Sequence, residues 1–357
     1  MSLTYYELPV NDPLWGIPGT FDTMFNWEYD AMRGRLVTLY GKGKQKQWDS
    51  EVRLDWSQPV DPGSPSNGPD YYIPIFGSPT WEKLNDKERY EVRHHIGAWL
   101  NSQFLHGEQG ALICTAKIVQ SVPDIDSKFY AATQVMDEAR HVETYSRYLR
   151  DKIEMAYPIN KYLKILLDQV IQDSRWDFTY LGMQIMIEGL ALAAFSMIRD
   201  FATEPLAKAI NTYVMQDEAR HVAFGRLALR DYYPQLTEAE RAEREDFVCE
   251  ASMLMYGRFL AAEVWEHLGF DLDEVLDYTR KSEMMQQFRK MLFSRVVPIV
   301  KDIGLLGKRT QKAFEELDVL QFQDVNPDEL SAADEQLADE MDRRRSEIEQ
   351  TVRLGAE

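Results

Sequence analysis

The chain has 357 residues, with 40 Lys and Arg against 59 Asp and Glu, a formal charge of −19. A surplus of acid on this scale repels phosphate backbones and anionic lipid, which sets aside nucleic-acid and membrane-surface binding and leaves cations, neutral organics and basic partners. Hydrophobic residues at 45% provide for a sizeable core, and two distant cysteines, Cys114 and Cys249, exclude a disulfide framework or thiolate zinc site and point to a reducing, cytoplasmic setting.

The opening residues, MSLTYYELPVND, contain no basic region followed by an apolar run, so no secretory leader is expected. Residues 1–80 are rich in proline and contain two glycine- and serine-rich stretches. They read as an arm wrapping a body, with one helix near Phe21 to Leu39. From Thr80 to about Leu320 the apolar spacing is helical. Pro123, Pro158, Pro205 and Pro234 fall where helices should start or stop, and Pro298 is placed to kink one. Alternating strand patterns of any length are absent there, so residues 81–325 are expected to form an all-α domain. Residues 326–357 are charged and helix-prone, and read as a solvated helical tail. The longest apolar segment, Phe178 to Ile198, has the length of a bilayer span but carries Gln184 and Glu188 at its centre. A carboxylate there is costly in lipid, so the segment is expected to be a helix buried in protein.

The hexapeptide DEARHV occurs twice, at Asp137 to Val142 and Asp217 to Val222, 80 positions apart. Each copy places Glu and His three residues apart, Glu138 with His141 and Glu218 with His221, which puts both side chains on one helix face. Thirty residues before each Glu stands another, Glu108 and Glu188, both embedded in apolar helical sequence. Four helices thus supply four carboxylates and two imidazoles, and four buried carboxylates balance two divalent ions. An oxygen-rich set with one imidazole per metal suits iron or manganese.

In these residues the chain resembles the ferritin-like di-iron carboxylate superfamily, in which a Glu from each of two helices and a Glu-x-x-His from each of two others meet inside a four-helix bundle. The branch concerned contains bacterial multicomponent monooxygenase hydroxylases, ribonucleotide reductase small subunits, acyl carrier protein desaturases and di-iron N-oxygenases, and the likeness covers roughly residues 85–230. It implies a ferritin-like bundle with a dimetal centre, additional C-terminal helices and the irregular arm. Glu108, Glu138 and His141 would hold one metal, Glu188, Glu218 and His221 the other, with Glu138 and Glu218 bridging. Asp137 and Asp217 would accept the free ring N–H of His221 and His141 respectively, and Arg140 and Arg220 would neutralise those acids. Tyr145, one turn after His141, occupies the place of the reductase radical tyrosine, while its counterpart in the second repeat is Gly225. Trp48 resembles the tryptophan near the start of the same small subunits.

Several positions depart from individual subfamilies. Leu192 stands where the multicomponent hydroxylases carry threonine, and Val214 where N-oxygenases with a third His carry it. Gly110 and Met183 cannot form the Val–Tyr cross-link of the ligand-binding oxidases, and no tyrosine follows Tyr278 to carry a radical outward. The expectation is therefore an O2-activating enzyme with two iron ions, or Mn/Fe, that hydroxylates, N-oxygenates or desaturates a small organic substrate. Phe104, Ala111, Leu112, Gln184, Ala191, Leu192 and Phe195, read as one turn from the ligands, are expected to line its pocket. No flavin, nicotinamide or iron–sulfur motif appears, so the resemblance implies an external donor, a reductase or ferredoxin, and the superfamily implies a homodimer. The alternatives are a tyrosyl-radical protein like the reductase small subunit and an iron- or peroxide-handling protein like ferritin.

Overall fold

The computed structural model describes residues 14–30, 34–65 and 68–355, apart from the side chains at 341, 342 and 344–355. The leader reading rests on residues outside this set. Among the described residues there is no β-strand, and the body is built from α1 (Gly34–Gln45), α2 (Asp86–Ser121), α3 (Ile125–Tyr148), α4 (Lys161–Gln172), α5 (Trp176–Phe201), α6 (Pro205–Tyr232) and α7 (Glu238–Arg258). Shorter helices follow, and α8 (Pro327–Gly355) ends the described chain.

Several of the long helices start at a residue that holds their free N–H groups, while α5, after Arg175, has no side-chain cap. Asn85 and Glu88 form a reciprocal cap on α2, Asp124 accepts from Ser127 N on α3, and Thr237 with Glu240 caps α7. At α6 the Glu204 carboxylate accepts from Leu206 N and Ala207 N, while Pro205 occupies the first helical position, where its missing N–H is no loss. Pro298 is similarly placed in the first turn of the helix Val296–Asp302, so it kinks nothing, contrary to the sequence expectation.

Helices α2 and α3 pair across the short turn at residues 122–124, and α5 and α6 across residues 202–204; the two hairpins pack together as a four-helix bundle. Helix α1 lies across α3 and α6, while α4 and α7 cover another side. The apolar helix α5 is long enough to cross a membrane, but it is buried within this bundle. Its residues Leu181–Ile187 form a π-helical turn immediately before Glu188.

Two expectations at the ends of the chain are corrected. Residues 18–28 are not helical; they run along the body, with Met24 N donating to Gln120 O and Asn26 Nδ2 to Pro123 O, and the helix begins at Gly34, residues 31–33 being outside the described set. The expected helix from Phe21 does not form there, because these contacts to the α2–α3 turn hold the backbone extended. The tail, in turn, is docked rather than wholly solvated. Ala338 is fully buried, Asp334 lies between Arg295 (2.8 Å) and Arg199 (3.5 Å), and Glu335 pairs with Lys42 on α1 (3.1 Å). Charged residues that read as a solvated face are here matched to basic partners on the body.

Gly225 on α6 is demanded by close packing. A Cβ there would lie 2.5 Å from Gln184 Cβ in the π-helical turn, so the asymmetry with Tyr145 in the first repeat has a steric origin. Gly225→Ala is expected to destabilise the protein by about 1–3 kcal/mol. Gly41→Ala, on α1 with nothing within 4 Å of the new methyl, should instead stabilise it by about 0.5–1 kcal/mol through helix propensity. Urea midpoints of the two variants check the opposite signs.

Candidate metal centre

The bundle brings Glu108 from α2, Glu138 and His141 from α3, Glu188 from α5, and Glu218 and His221 from α6 into one buried cluster. Ligating atoms of Glu108, Glu138, His141 and Glu218 lie within 4.8 Å of one another, as do those of Glu138, Glu188 and His221. Glu138 belongs to both groups. His141 Nδ1 lies 3.2 Å from Glu108 and 3.1 Å from Glu218; His221 Nδ1 lies 3.1 Å from Glu138 and 3.4 Å from Glu218. Both imidazoles therefore turn Nδ1 toward the carboxylates.

Their other nitrogens face acids on the opposite helix. His141 Nε2 is 3.1 Å from Asp217 Oδ2, and His221 Nε2 is 3.2 Å from Asp137 Oδ2. A proton on Nε2 leaves Nδ1 with its lone pair aimed into the cluster. Arg140 bridges Asp137 and Asp217, Arg220 pairs with Asp217, and Trp48 Nε1 donates to Asp217 at 2.8 Å. The repeat is thus closed by a buried layer of two acids and two guanidinium groups, with the Arg140 guanidinium 4.8 Å from the Trp48 ring centre.

Electrostatics divide the cluster. Burial, followed by repulsion from Glu218, pushes the Glu108 and Glu188 carboxyls well above the usual range. Burial also opposes ionisation of Glu138, but His221 and His141 outweigh it and hold that group low. Desolvation works against charging His141 and His221 too, and surrounding acids reverse it, raising both. Asp217 is held low against its burial by Arg220, His141 and Arg140.

The donor set fits a pair of divalent ions. Glu138 Oε2, Glu188 Oε2, both Glu218 oxygens and His221 Nδ1 are buried without a hydrogen-bond partner. Buried lone pairs in this number carry a heavy desolvation cost unless a cation takes them. Four carboxylates and two imidazoles suit two oxygen-preferring metals such as iron or manganese.

Sequence reasoning missed Gln134, whose Nε2 donates to Glu138 Oε1 (2.9 Å) and Glu188 Oε1 (3.0 Å). It stands one turn before Glu138, where the second repeat has Val214. A polar residue opposite an apolar twin on a buried helix face was the available signal.

A small cavity of about 30 Å³ opens beside Glu108, Glu188 and Glu218, and Phe104, Ala111, Ala191 and Phe195 line it. Leu112, Gln184 and Leu192 do not. The π-helical turn explains Gln184: its wider pitch swings that side chain toward Gly225 and puts Met183 and Ile187 on the cavity wall instead. Leu112 and Leu192 fall off the i, i+3 stripes that face the metals, which Ala111 and Ala191 occupy. An apolar outer chamber of about 240 Å³ adjoins the small cavity, with Ala194 and Phe259 common to both walls. Tyr145 is fully buried behind Phe104 and Phe195, with its hydroxyl 3.3 Å from Asn211 Oδ1. Burial and then Glu108 and Glu218 keep its phenol neutral.

The bundle and its carboxylate–imidazole cluster define a ferritin-like dimetal carboxylate protein. A family model described as P-aminobenzoate N-oxygenase AurF matches residues 30–304, and the chain belongs to that family. It is an O2-activating, non-haem di-iron oxidoreductase. Among solved structures it is similar to protein 19 with aldehyde deformylating oxidase activity from Synechococcus, at 17% identity over 61% of this chain and 94% of that one, with a TM-score of 0.44. A mutant R2-like ligand-binding oxidase with anaerobically reconstituted Mn/Fe cofactor gives 15% identity over 77% and 95%, with a TM-score of 0.45. A second mutant of that oxidase gives 16% over 79% and 94%, at 0.41. No curated protein sequence matches the chain.

Proposed function

We propose that Glu108, Glu138, His141, Glu188, Glu218 and His221 hold two iron ions and that the enzyme transfers oxygen to the nitrogen of a small aromatic amine. The observation that carries the ligand assignment is the convergence of unpartnered, buried carboxylate oxygens and an imidazole nitrogen at one point in the bundle. Glu138 and Glu218 are the bridging residues in this reading, because each lies close to both imidazoles. The nitrogen as the site of oxygen transfer follows the description of the family, p-aminobenzoate N-oxygenase. The bound metal pair would supply the electrons that activate O2.

The protein's own residues hold the reaction in place. Asp137 and Asp217 fix the ring orientation of His221 and His141, Arg140 pairs with both acids, and Arg220 pairs with Asp217. Gln134 steadies Glu138 and Glu188 by donating to one oxygen of each. Phe104, Ala111, Ala191 and Phe195 keep bulk water from the small cavity, so the substrate reacts in a dry site. Tyr145 supplies an oxidisable phenol next to this wall. The reading includes an external reductase or ferredoxin, drawn to the acidic exterior if its own docking face is basic. It also includes a homodimer and a cytoplasmic setting, the latter in keeping with the two free cysteines.

Incubation of reduced, iron-loaded protein with labelled 18O2 and aromatic amines tests the function. An N-oxygenated product carrying the label is expected, and Tyr145→Phe should retain at least a tenth of that turnover. A stable tyrosyl radical in place of product, lost in Tyr145→Phe, would replace the oxygenase reading with a radical-protein one.

A further inference from the structure

Gln134 stands on α3 one turn before Glu138 and is fully buried. Its Nε2 donates to Glu138 Oε1 at 2.9 Å and to Glu188 Oε1 at 3.0 Å, so a single amide ties together carboxylates from two helices. The amide has to face them with its nitrogen, because its oxygen would be repelled by both acids. The second oxygen of each, Glu138 Oε2 and Glu188 Oε2, has no hydrogen-bond partner and is left for a cation. The repeat puts Val214 at the matching place on α6, which gives the other half no such amide.

The halves also differ in the donors they bring together. Around His141 converge Glu108, Glu138 and Glu218; around His221, among the described residues, converge Glu138 and Glu188. Both carboxylates of the smaller set are the ones that Gln134 holds. Glu138 repels Glu188, and a donor shared between the two offsets that repulsion while keeping one oxygen of each free. The larger set keeps Glu108 and Glu218, which the amide does not touch.

We infer that the two metal positions are unequal, the His141 position filling first and more tightly, and that Gln134 is the positioning residue on which the His221 position depends. The inference rests on the reading of these six side chains as ligands of two iron ions; it adds an order of filling and the residue that sets it. Removing the hydrogen-bond partner of a metal ligand lowers affinity by about 10–100-fold. Here that loss falls on one ion, because both acids tied by Gln134 belong to the His221 set. At limiting iron the chain should therefore hold one ion, beside His141, before any pair forms.

Site-resolved iron binding tests this. Anaerobic crystals are grown with one equivalent and with an excess of ferrous iron, and anomalous peaks are measured for the wild type, Gln134→Leu and Gln134→Met. Calorimetric titration gives the two affinities, and the melting temperature of the iron-free proteins shows whether each variant folds. In the wild type one equivalent is expected to occupy the His141 position and excess iron both, with affinities at least about ten-fold apart. In both variants the first ion should bind within about three-fold of wild type, and the second about 10–100-fold more weakly. Equal filling of the two positions in the wild type, or prior filling beside His221, would overturn the inference. So would an unchanged second affinity in the variants, or an equal loss of both ions with a lowered melting temperature, which assigns Gln134 to packing alone. A wild type that binds no iron overturns the ligand assignment and this inference with it, whereas two ions bound with indifference to Gln134 overturns the inference alone.

Discussion

Replacing Glu138 with alanine is expected to leave a folded protein that holds neither iron ion. Glu138 is common to both groups of converging ligand atoms, and it lies 3.5 Å from His141 Nδ1 and 3.1 Å from His221 Nδ1. If the six residues hold two ions, its loss would take an oxygen donor from both, whereas loss of Glu108 or Glu188 would take one from a single ion. The surrounding helices carry their own caps and apolar contacts, so the bundle does not need this carboxylate to fold. Anaerobic titration with ferrous iron should give two ions per chain for the wild type and fewer than about 0.2 for Glu138→Ala. The melting temperature supplies a second reading. An ion present at one hundred times its dissociation constant stabilises by about 2.7 kcal/mol, so ferrous iron should raise the wild-type midpoint and leave the variant unmoved.

Asp217→Ala has the largest expected cost in stability. Asp217 accepts from His141, Trp48, Arg140 and Arg220, and it is completely buried. Arg140 retains Asp137 after the change, but Arg220, 2% exposed, is left without a carboxylate partner. Breaking a buried pair from one side costs about 3–5 kcal/mol. Loss of the acid that orients His141 should lower iron affinity by about 10–100-fold as well. Asp137→Ala should cost less stability, since both arginines keep Asp217, while producing a similar loss in iron affinity through His221. Urea unfolding and competition with a ferrous chelator measure the two effects separately. Equal destabilisation by the two substitutions would contradict the arrangement of this layer.

The six candidate ligands were legible in the sequence because helical spacing is rigid. Glu138 with His141, and Glu218 with His221, must share a face wherever their helices lie, and the repeat distance of 80 residues singled out Glu108 and Glu188 by symmetry. The all-α architecture followed from the same periodicity. What escaped was whatever broke the regular helix or depended on a neighbour. The π-helical turn at Leu181–Ile187 displaced Gln184 from the cavity and brought in Met183, a change of phase that apolar spacing alone does not announce. Gln134 was hidden because its role depends on reaching Glu188 on another helix. The tail after Asn326 read as solvated because its acids give no hint of Arg295 and Arg199, which lie far away in sequence and meet Asp334 only in the folded chain.

The acid surplus now separates into an interior and an exterior part. Glu108, Glu138, Glu188 and Glu218 converge in the bundle, and Asp137 and Asp217 are matched by Arg140 and Arg220. Among the described residues, others form ion pairs between the body and the tail, Glu335 with Lys42 and Asp334 with Arg295.

Anomalous diffraction at the iron absorption edge, on crystals grown anaerobically with ferrous iron, asks whether these four glutamates and two histidines hold two metal ions. Two peaks are predicted inside the bundle, one bound by His141 Nδ1 and the other by His221 Nδ1, with Glu138 touching both. A single peak, or iron held away from these side chains, would contradict the account.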